Sequence, residues 1–411
     1  MPRISGDLTI DALLAGSHYR WNDGSAYGTP ATVTYNFMGS SPPAYATSED
    51  VHGYAPMNAD QMAAAKAALA DFAEVANINF VYAPNLGDNA DIRFGTNHQS
   101  DSAAYAYYAT PSHPLGGDVY LANNYLPNFD ELDPGGYGYL TMLHEIGHAL
   151  GLKHPGNYGS TTPYLPAAED SKQYTVMSYH DHPQNVWVYN ENLGLYDAKA
   201  IQFLYGANTS WHKGDDTYSF ADDPHLQTLW DAGGIDTIDL SNQPVGATLN
   251  LNAGQFSSIG EDADGTHRVN NVAIDFKVTI ENAVGSPYAD TIIGNSAKNT
   301  ILGGSGDDVL VGGAGLDRLE GGAQNDTLTG GAKSDALLGG PGADIFIFKA
   351  REGADVIHDF EPGIDHIQAP ANANVTFKLL ADGNVAADLH NGTTIEFVGQ
   401  EVGHIDWFLN G

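Results

Sequence analysis

The run His144-Glu145-Ile146-Gly147-His148-Ala149-Leu150-Gly151-Leu152-Lys153-His154 follows H-E-x-x-H-x-x-G-x-x-H without a departure. Imidazole nitrogens are zinc ligands, and a carboxylate beside a bound zinc is a general base. Residues four apart share a helix face, so His144 and His148 can chelate one ion. Glu145 is turned roughly 100° from His144 and lies beside that ion rather than on it. Gly151 can take the left-handed conformation that ends a helix and returns the chain, bringing back His154 as a third ligand. Three nitrogens leave a fourth position open for water, which separates a catalytic zinc from a structural one. A buried amphipathic helix with incidental histidines would account for the H-E-x-x-H core, but not for the glycine and third histidine in register.

The element that must carry these groups is a helix from about Leu140 to Leu150, with Leu140, Leu143, Ile146 and Leu150 in helical rhythm. Downstream, Thr175-Val176-Met177-Ser178-Tyr179 has the form of the Met-turn that accompanies the long zinc motif. With Pro155 directly after the third histidine, in His154-Pro155-Gly156-Asn157-Tyr158, and Tyr179 two residues after Met177, the chain resembles the serralysin family of secreted bacterial metalloproteases. The resemblance implies a metzincin-like fold and peptide-bond hydrolysis with Glu145 as base. It implies zinc held by His144, His148 and His154, with Tyr179 as a further ligand at rest that then hydrogen-bonds the tetrahedral intermediate. Met177 becomes an apolar floor under the metal.

A second pattern runs from Gly285 to Ile347, where the chain repeats every nine residues seven times. One column holds Asp290, Asn299, Asp308, Asp317, Asp326, Asp335 and Asp344; another holds Ile292, Ile301, Leu310, Leu319, Leu328, Leu337 and Phe346. This is the RTX calcium nonapeptide. Glycines permit a tight loop with carbonyls turned to a cation, and aspartate adds the hard oxygen calcium prefers. The aliphatic column points inward, and two nonapeptides make one turn of a parallel β-roll, whose stacked turns bury that column. A flexible Gly-rich linker would not keep these columns. The calcium candidates in the array are Asp290, Gly304, Gly306, Asp308, Gly313, Gly315, Asp317, Gly322, Asp326, Gly331, Asp335, Gly340, Gly342 and Asp344. Asn299 stands for the aspartate in one unit, and Gln324 and Lys333 stand for a glycine in two others. Those sites are expected to be weaker or empty, since a left-handed non-glycine residue costs on the order of 1 kcal/mol.

The resemblance extends to both flanks of the array. It implies calcium ligands at Asp231, Gly233, Gly234, Asp236, Thr279 and Glu281, and at Asp359 and Asp365 in the closing segment. It also implicates His212, Gly214 and Asp216, where His212 departs from the family's arginine and would serve through its backbone carbonyl.

Composition narrows the partners. The formal net charge is −35, which argues against nucleic acid and anionic membrane surfaces. There is no cysteine, which excludes disulfides and thiolate chemistry. No stretch of about 18 apolar residues is present to span a membrane. The segment from Leu8 to Leu14 is broken by Asp11 and does not read as a Sec-type signal.

The expected architecture is an α+β catalytic domain over residues 1–206, followed by an all-β parallel β-roll over 207–411. Asn58 and Gln61 form a capping-box pair ahead of a helix carrying Ala65, Leu69, Phe72 and Val75 inward. Strands are expected at Ala31–Phe37, Ile78–Ala83, Asp91–Gly95 and Asp118–Leu121, and a last helix at Tyr196–Tyr205. Asp118–Leu121 resembles the family's substrate-accepting edge strand, and reads as well as a plain edge strand. The terminal His404-Ile405-Asp406-Trp407-Phe408-Leu409 resembles a type I export signal and reads equally as the roll's last strand.

The resulting expectation is a secreted, monomeric zinc endopeptidase stabilised by calcium. Its expected partners are protein or peptide substrates, the type I export machinery and a proteinaceous inhibitor. A non-enzymatic RTX adhesin keeps the roll but leaves the zinc motif without a purpose. A zinc hydrolase acting on another substrate is the third reading.

Overall fold

The computed structural model describes residues 4–111, 113–184, 187–370 and 375–400. The expected export signal at His404–Leu409 lies outside these. Two compact units emerge: residues 1–211 with 225–230, and residues 212–224 with 231–411. Among the described residues, no helix is long and apolar enough to cross a membrane.

The first unit contains α1 (Leu8–Asp11), β1 (Ala31–Phe37), α2 (Ala59–Val75), β2 (Ile78–Tyr82), β3 (Ile92–Asn97), β4 (Ala104–Ala106), β5 (Asp118–Ala122), α3 (Pro127–Asp130), α4 (Tyr137–Ala149) and α5 (Leu195–Tyr205). Its sheet has the order β2-β1-β3-β5-β4, parallel except for β4. Helix α2 starts as its residues dictate. The Asn58 side chain accepts from Gln61 N at 2.8 Å, and the Gln61 side chain accepts from Asn58 N at 3.0 Å. Its inward face buries Ala65, Leu69, Phe72 and Val75, where full burial of a Leu or Phe stabilises by about 1.5–3 kcal/mol.

Asp118–Ala122 is not an edge strand. It lies between β3 and β4, and all five of its residues are buried. Its continuous burial is that of a strand covered on both faces and paired on both sides. The edge is β4, paired with β5 through Ala104↔Leu121, Tyr105↔Tyr120 and Ala106↔Val119.

The segment Ala207–Asn208 packs within the first unit: Ala207 bridges Ala76, and the Asn208 side chain donates to Ala73 O at 2.8 Å.

The second unit is dominated by two stacks of short parallel strands. One contains Thr237–Asp239, Asn282–Val284, Thr300–Ser305, Arg318–Ala323, Ala336–Leu338 and Gly353–Ile357; the other contains Thr248–Asn250, Thr291–Ile293, Val309–Gly313, Thr327–Gly331, Ile345–Ile347 and His366–Gln368. Through the repeats, register partners lie eighteen residues apart, as in Ile292↔Leu310, Leu310↔Leu328 and Ile301↔Leu319. Two nonapeptides therefore make one turn. Ile292, Ile301, Leu310, Leu319, Leu328, Leu337 and Phe346 are fully buried and form the column that joins the turns. This is the parallel β-roll read from the repeat.

Candidate metal centre

Helix α4 is buried from Gly138 to Ala149 and packs on α2, α3, β4 and β5. It ends where the motif requires. Gly151 has φ +105°, Leu152 N donates to Gly147 O at 2.9 Å, and a Cβ on Gly151 would lie 2.0 Å from Tyr19 O. Conformation and space both demand glycine there. The chain then returns to place His154 against α4.

The Nε2 atoms of His144 and His154 are 3.1 Å apart, as are those of His148 and His154. His144 Nδ1 lies 2.8 Å from Val176 O, and His148 Nδ1 lies 2.8 Å from Leu152 O. A carbonyl only accepts, so each Nδ1 carries the proton and each Nε2 presents a bare lone pair. Burial holds the neutral form, pushing His144 down to about 4, His154 down to about 3, and His148 well below the usual range. Lone pairs converging at this spacing repel unless a cation sits among them. Ligands about 2.0–2.1 Å from a tetrahedral zinc stand about 3.3 Å apart, close to the separation found. The three histidines therefore fit a metal ion.

Glu145 is buried beside this point. Its Oε2 meets no hydrogen-bond donor among the described residues, and burial raises its pKa to about 8. Met177 is fully buried, and a Cβ on Gly147 would lie 2.6 Å from its sulfur. The Met-turn thus seats its thioether against the bare backbone of α4 between the two helical histidines. Tyr179 is exposed, with its ring 4.5 Å from that of His154, 5.7 Å from that of His144 and stacked 4.8 Å from that of Tyr158. Partial burial first, and the nearby Glu145 carboxylate next, raise its hydroxyl to about 12.

A cavity of about 330 Å³ opens in front of these groups, lined by Asp101–Ala104, Tyr137, Leu140, Thr141, His144, Glu145, Lys172, Val176, Ser178 and Tyr179. The segment leading into β4 forms part of its wall. Three contributors are not apparent from the motif. Asp197 is fully buried and accepts from Val176 N, Thr175 Oγ1 and Gly194 N at 2.7, 2.6 and 3.0 Å. Asp170 accepts from Tyr158 and Ser178 hydroxyls at 2.8 and 2.7 Å. Lys172, buried in the wall, pairs with Asp181. Proximity to the Met-turn in sequence could have flagged Asp170 and Lys172; Asp197 carries no such local signal.

In the second unit the flanking candidates converge. Asp236 Oδ1 accepts from Asp216 N at 2.9 Å, Glu281 Oε2 from Asp236 N at 2.9 Å, and Asp231 Oδ1 from Gly233 N at 2.5 Å. A Cβ on Gly234 would lie 1.9 Å from Gly214 O, and Thr279 stands two residues before Glu281 on the same segment. Asp236 Oδ2 is buried without a donor among the described residues. The His212 imidazole, rather than only its backbone, enters the group: its Nδ1 is 3.5 Å from Asp216 Oδ2, and His212, Asp216 and Asp231 could jointly hold an ion.

Along the repeats a ladder connects the acids. Each backbone N of Asp290, Asp308, Asp326, Asn299, Asp317 and Asp335 donates at 2.8–3.0 Å to Oδ1 of the acid one turn on, at Asp308, Asp326, Asp344, Asp317, Asp335 and Asp355 respectively. Oδ2 of Asp308, Asp326, Asp335, Asp344 and Asp355 is buried without a donor among the described residues. A buried carboxylate oxygen left this way is satisfied by a cation or by a proton, and hard oxygen donors of this kind suit calcium. Gly304, Gly306, Gly313, Gly322, Gly331 and Gly340 have positive φ, and Cβ atoms on Gly315 and Gly342 would lie 2.1 and 1.8 Å from the carbonyls of Ala297 and Gln324. Gln324 and Lys333 adopt φ +87° and +91° in glycine slots, yet Asp326 and Asp335 keep their place in the ladder. Of the closing acids, Asp365 continues the ladder, its Oδ1 accepting from Asp344 N at 3.0 Å and its Oδ2 from Glu361 N, whereas Asp359 accepts from Gly339 N and Gly340 N. Asp355 was missed in the repeat because the spacing lengthens from eighteen to twenty residues before it.

Comparison with known proteins agrees with both halves. A family model described as Matrixin matches residues 44–206, and one described as Peptidase M10 serralysin C terminal matches residues 196–380. The chain belongs to the serralysin family. The relatives it resembles include a serralysin from Proteus mirabilis, 36% identical over 70% of this chain and 65% of that protein. Metallopeptidase AprA from Pseudomonas marginalis is 37% identical over 71% of this chain and 66% of its own length. Serralysin B from Dickeya chrysanthemi is 33% identical over 71% and 64%. The match thus spans slightly under two-thirds of the length of these serralysin-family relatives.

Proposed function

We propose that this chain is a secreted zinc endopeptidase whose catalytic domain, residues 1–206, acts on extracellular proteins and peptides, and whose domain over residues 207–411 is stabilised by calcium. One observation carries the reading: two bare imidazole lone pairs and His154 Nε2 converge at 3.1 Å beside the buried Glu145, whose Oε2 no donor among the described residues reaches. Zinc bound by His144, His148 and His154 would supply a Lewis acid that brings the pKa of a water toward ~7 and polarises a carbonyl. Glu145 accepts the attacking water's proton and returns it to the leaving amine. The Tyr179 hydroxyl, which would be a further ligand to that zinc at rest, donates to the carbonyl oxygen as negative charge grows there. The exposed side of β4 offers backbone groups to an extended peptide as an added strand; this role moves from Asp118–Leu121 to Ala104–Ala106.

The orphaned aspartate oxygens of the roll support calcium there. Export by a type I machinery follows from the same reading, because the crowded acids would keep the roll open until it meets external calcium. Polyanionic partners are disfavoured by the net charge of −35. The chain is read as a monomer, with a proteinaceous inhibitor as a further partner. Casein zymography with and without a zinc chelator tests the activity: clearing lost on chelation and restored by zinc is expected, whereas clearing that survives zinc removal refutes it.

A further inference from the structure

The first turn of the repeat array differs from the repeats that follow it. At the array's first rung in one stack, after the strands Thr237–Asp239 and Asn282–Val284, Asn299 is fully buried, and its Oδ1 accepts from Asn295 N at 2.9 Å. A backbone N–H can only donate, so the carboxamide orientation is fixed. Its Nδ2 therefore turns to Glu281 O at 3.0 Å, Ile280 O at 3.3 Å and Asn295 Oδ1 at 3.3 Å. The Asn295 amide extends this closure, donating to Ile280 O at 2.7 Å and Leu251 O at 3.1 Å. The positive end of an amide occupies the oxygen-lined space in which later rungs orient a carboxylate. A cation there would face amide hydrogens instead of the 6–8 oxygens calcium takes.

The array's first rung in the other stack is closed as well. Asp290 accepts from Ala247 N and Ser286 N, each at 2.6 Å, and from the Ser286 hydroxyl. Further along, Asp308, Asp326, Asp335, Asp344 and Asp355 each keep one buried oxygen that no described donor reaches.

We propose that the first turn of the repeat array, closed by Asn295–Asn299 and Ser286–Asp290, is ordered without calcium and serves as the template on which the calcium-dependent repeats after it stack. The proposal rests on the reading that the later turns bind calcium. It gives the repeats after Asn299 a direction of assembly, toward Asp355. Ordering the later turns then extends an existing strand edge rather than starting a new one. The strand Thr300–Ser305 is the hinge of the scheme, since it pairs with Asn282–Val284 on one side and Arg318–Ala323 on the other.

Hydrogen exchange of the full chain, in calcium-free buffer with zinc and again after adding calcium, tests this. Without calcium, amides of 300–302 should exchange at least about tenfold more slowly than those of 327–331 and 336–338. Calcium should then slow the later segments and change the first little. Asn299→Asp should remove the calcium-free protection of 300–302, and native mass spectrometry should count one additional calcium. Equal exchange of 300–302 and 327–338 in the calcium-free wild type overturns the proposal without any variant being needed. So does an Asn299→Asp chain with unchanged ion count and exchange. If calcium slows no segment of the wild type and none binds, the calcium reading itself fails and takes this inference with it.

Discussion

Asp197 and His144 are joined through a single residue: Val176 N donates to Asp197 Oδ2 at 2.7 Å, and Val176 O lies 2.8 Å from His144 Nδ1. The backbone of one residue thus transmits the position of a buried carboxylate on α5 to a metal-site imidazole on α4. Outer partners of this kind fix ring orientation and tautomer, and their loss typically costs 10–100-fold in metal affinity. Asp197→Ala should weaken zinc binding by about that factor, measured by competition with a zinc-sensitive dye. An affinity equal to wild type would mean the Met-turn holds its place without the carboxylate.

Lys153 is buried next to His154. Its ammonium donates to the carbonyls of Ala12, Pro163 and His154 at 2.6, 3.0 and 3.3 Å. It ties the N-terminal segment and the 154–163 loop to the end of α4. Lys153→Met keeps the stem but leaves these carbonyls without that donor, at a cost of about 1–3 kcal/mol. Thermal melts of zinc-loaded protein should show a midpoint lowered by several degrees. An unchanged midpoint would show that water replaces the ammonium freely.

A pH effect independent of either metal resides in Asp71. Burial raises its pKa from 3.8 to about 7, against the opposing hydrogen bond from Tyr139 at 2.7 Å. The fold favours the protonated acid, so its contribution is fully present below 3.8 and is lost as pH rises through about 7. Asp71→Asn stays neutral. It should match wild type near the low end of this window and be more stable at pH 8, by on the order of 1 kcal/mol after allowance for solvent screening. Melting curves of both proteins across the window decide it; parallel pH profiles would contradict the assignment.

Gln324 and Lys333 hold left-handed backbone, at φ +87° and +91°. Gly at either position removes about 1 kcal/mol of strain, partly offset by the greater freedom of glycine in the unfolded chain. Each substitution should raise the calcium-loaded midpoint slightly, and the pair should add. A fall in midpoint would show that these side chains contribute contacts outweighing the strain.

Local spacing explains what the sequence made legible. The three histidines and Glu145 fall within one helix and the turn after it, so the motif alone predicts their convergence. The aliphatic column from Ile292 to Phe346 is equally explicit, because the repeat and the strand pairing share one period. What escaped depended on distance or brevity. The edge strand Ala104–Ala106 is three half-buried residues with no alternation, while the longer, fully buried Asp118–Ala122 drew the assignment. Asp355 was hidden by a change of spacing from eighteen to twenty residues. Asp197 reaches the Met-turn only through tertiary packing of α5. At Asn299 the substitution was visible, but the carbonyls its amide meets were not.

The central claim is that His144, His148 and His154 hold one zinc ion while Glu145 moves the proton. Zinc content and casein hydrolysis of Glu145→Ala, measured on the same preparation as wild type, test it most directly. The account predicts one zinc per chain in both proteins and hydrolysis in the wild type alone. Wild-type protein that retains no zinc in zinc-replete buffer, or a Glu145→Ala chain that digests casein at the wild-type rate, would contradict it.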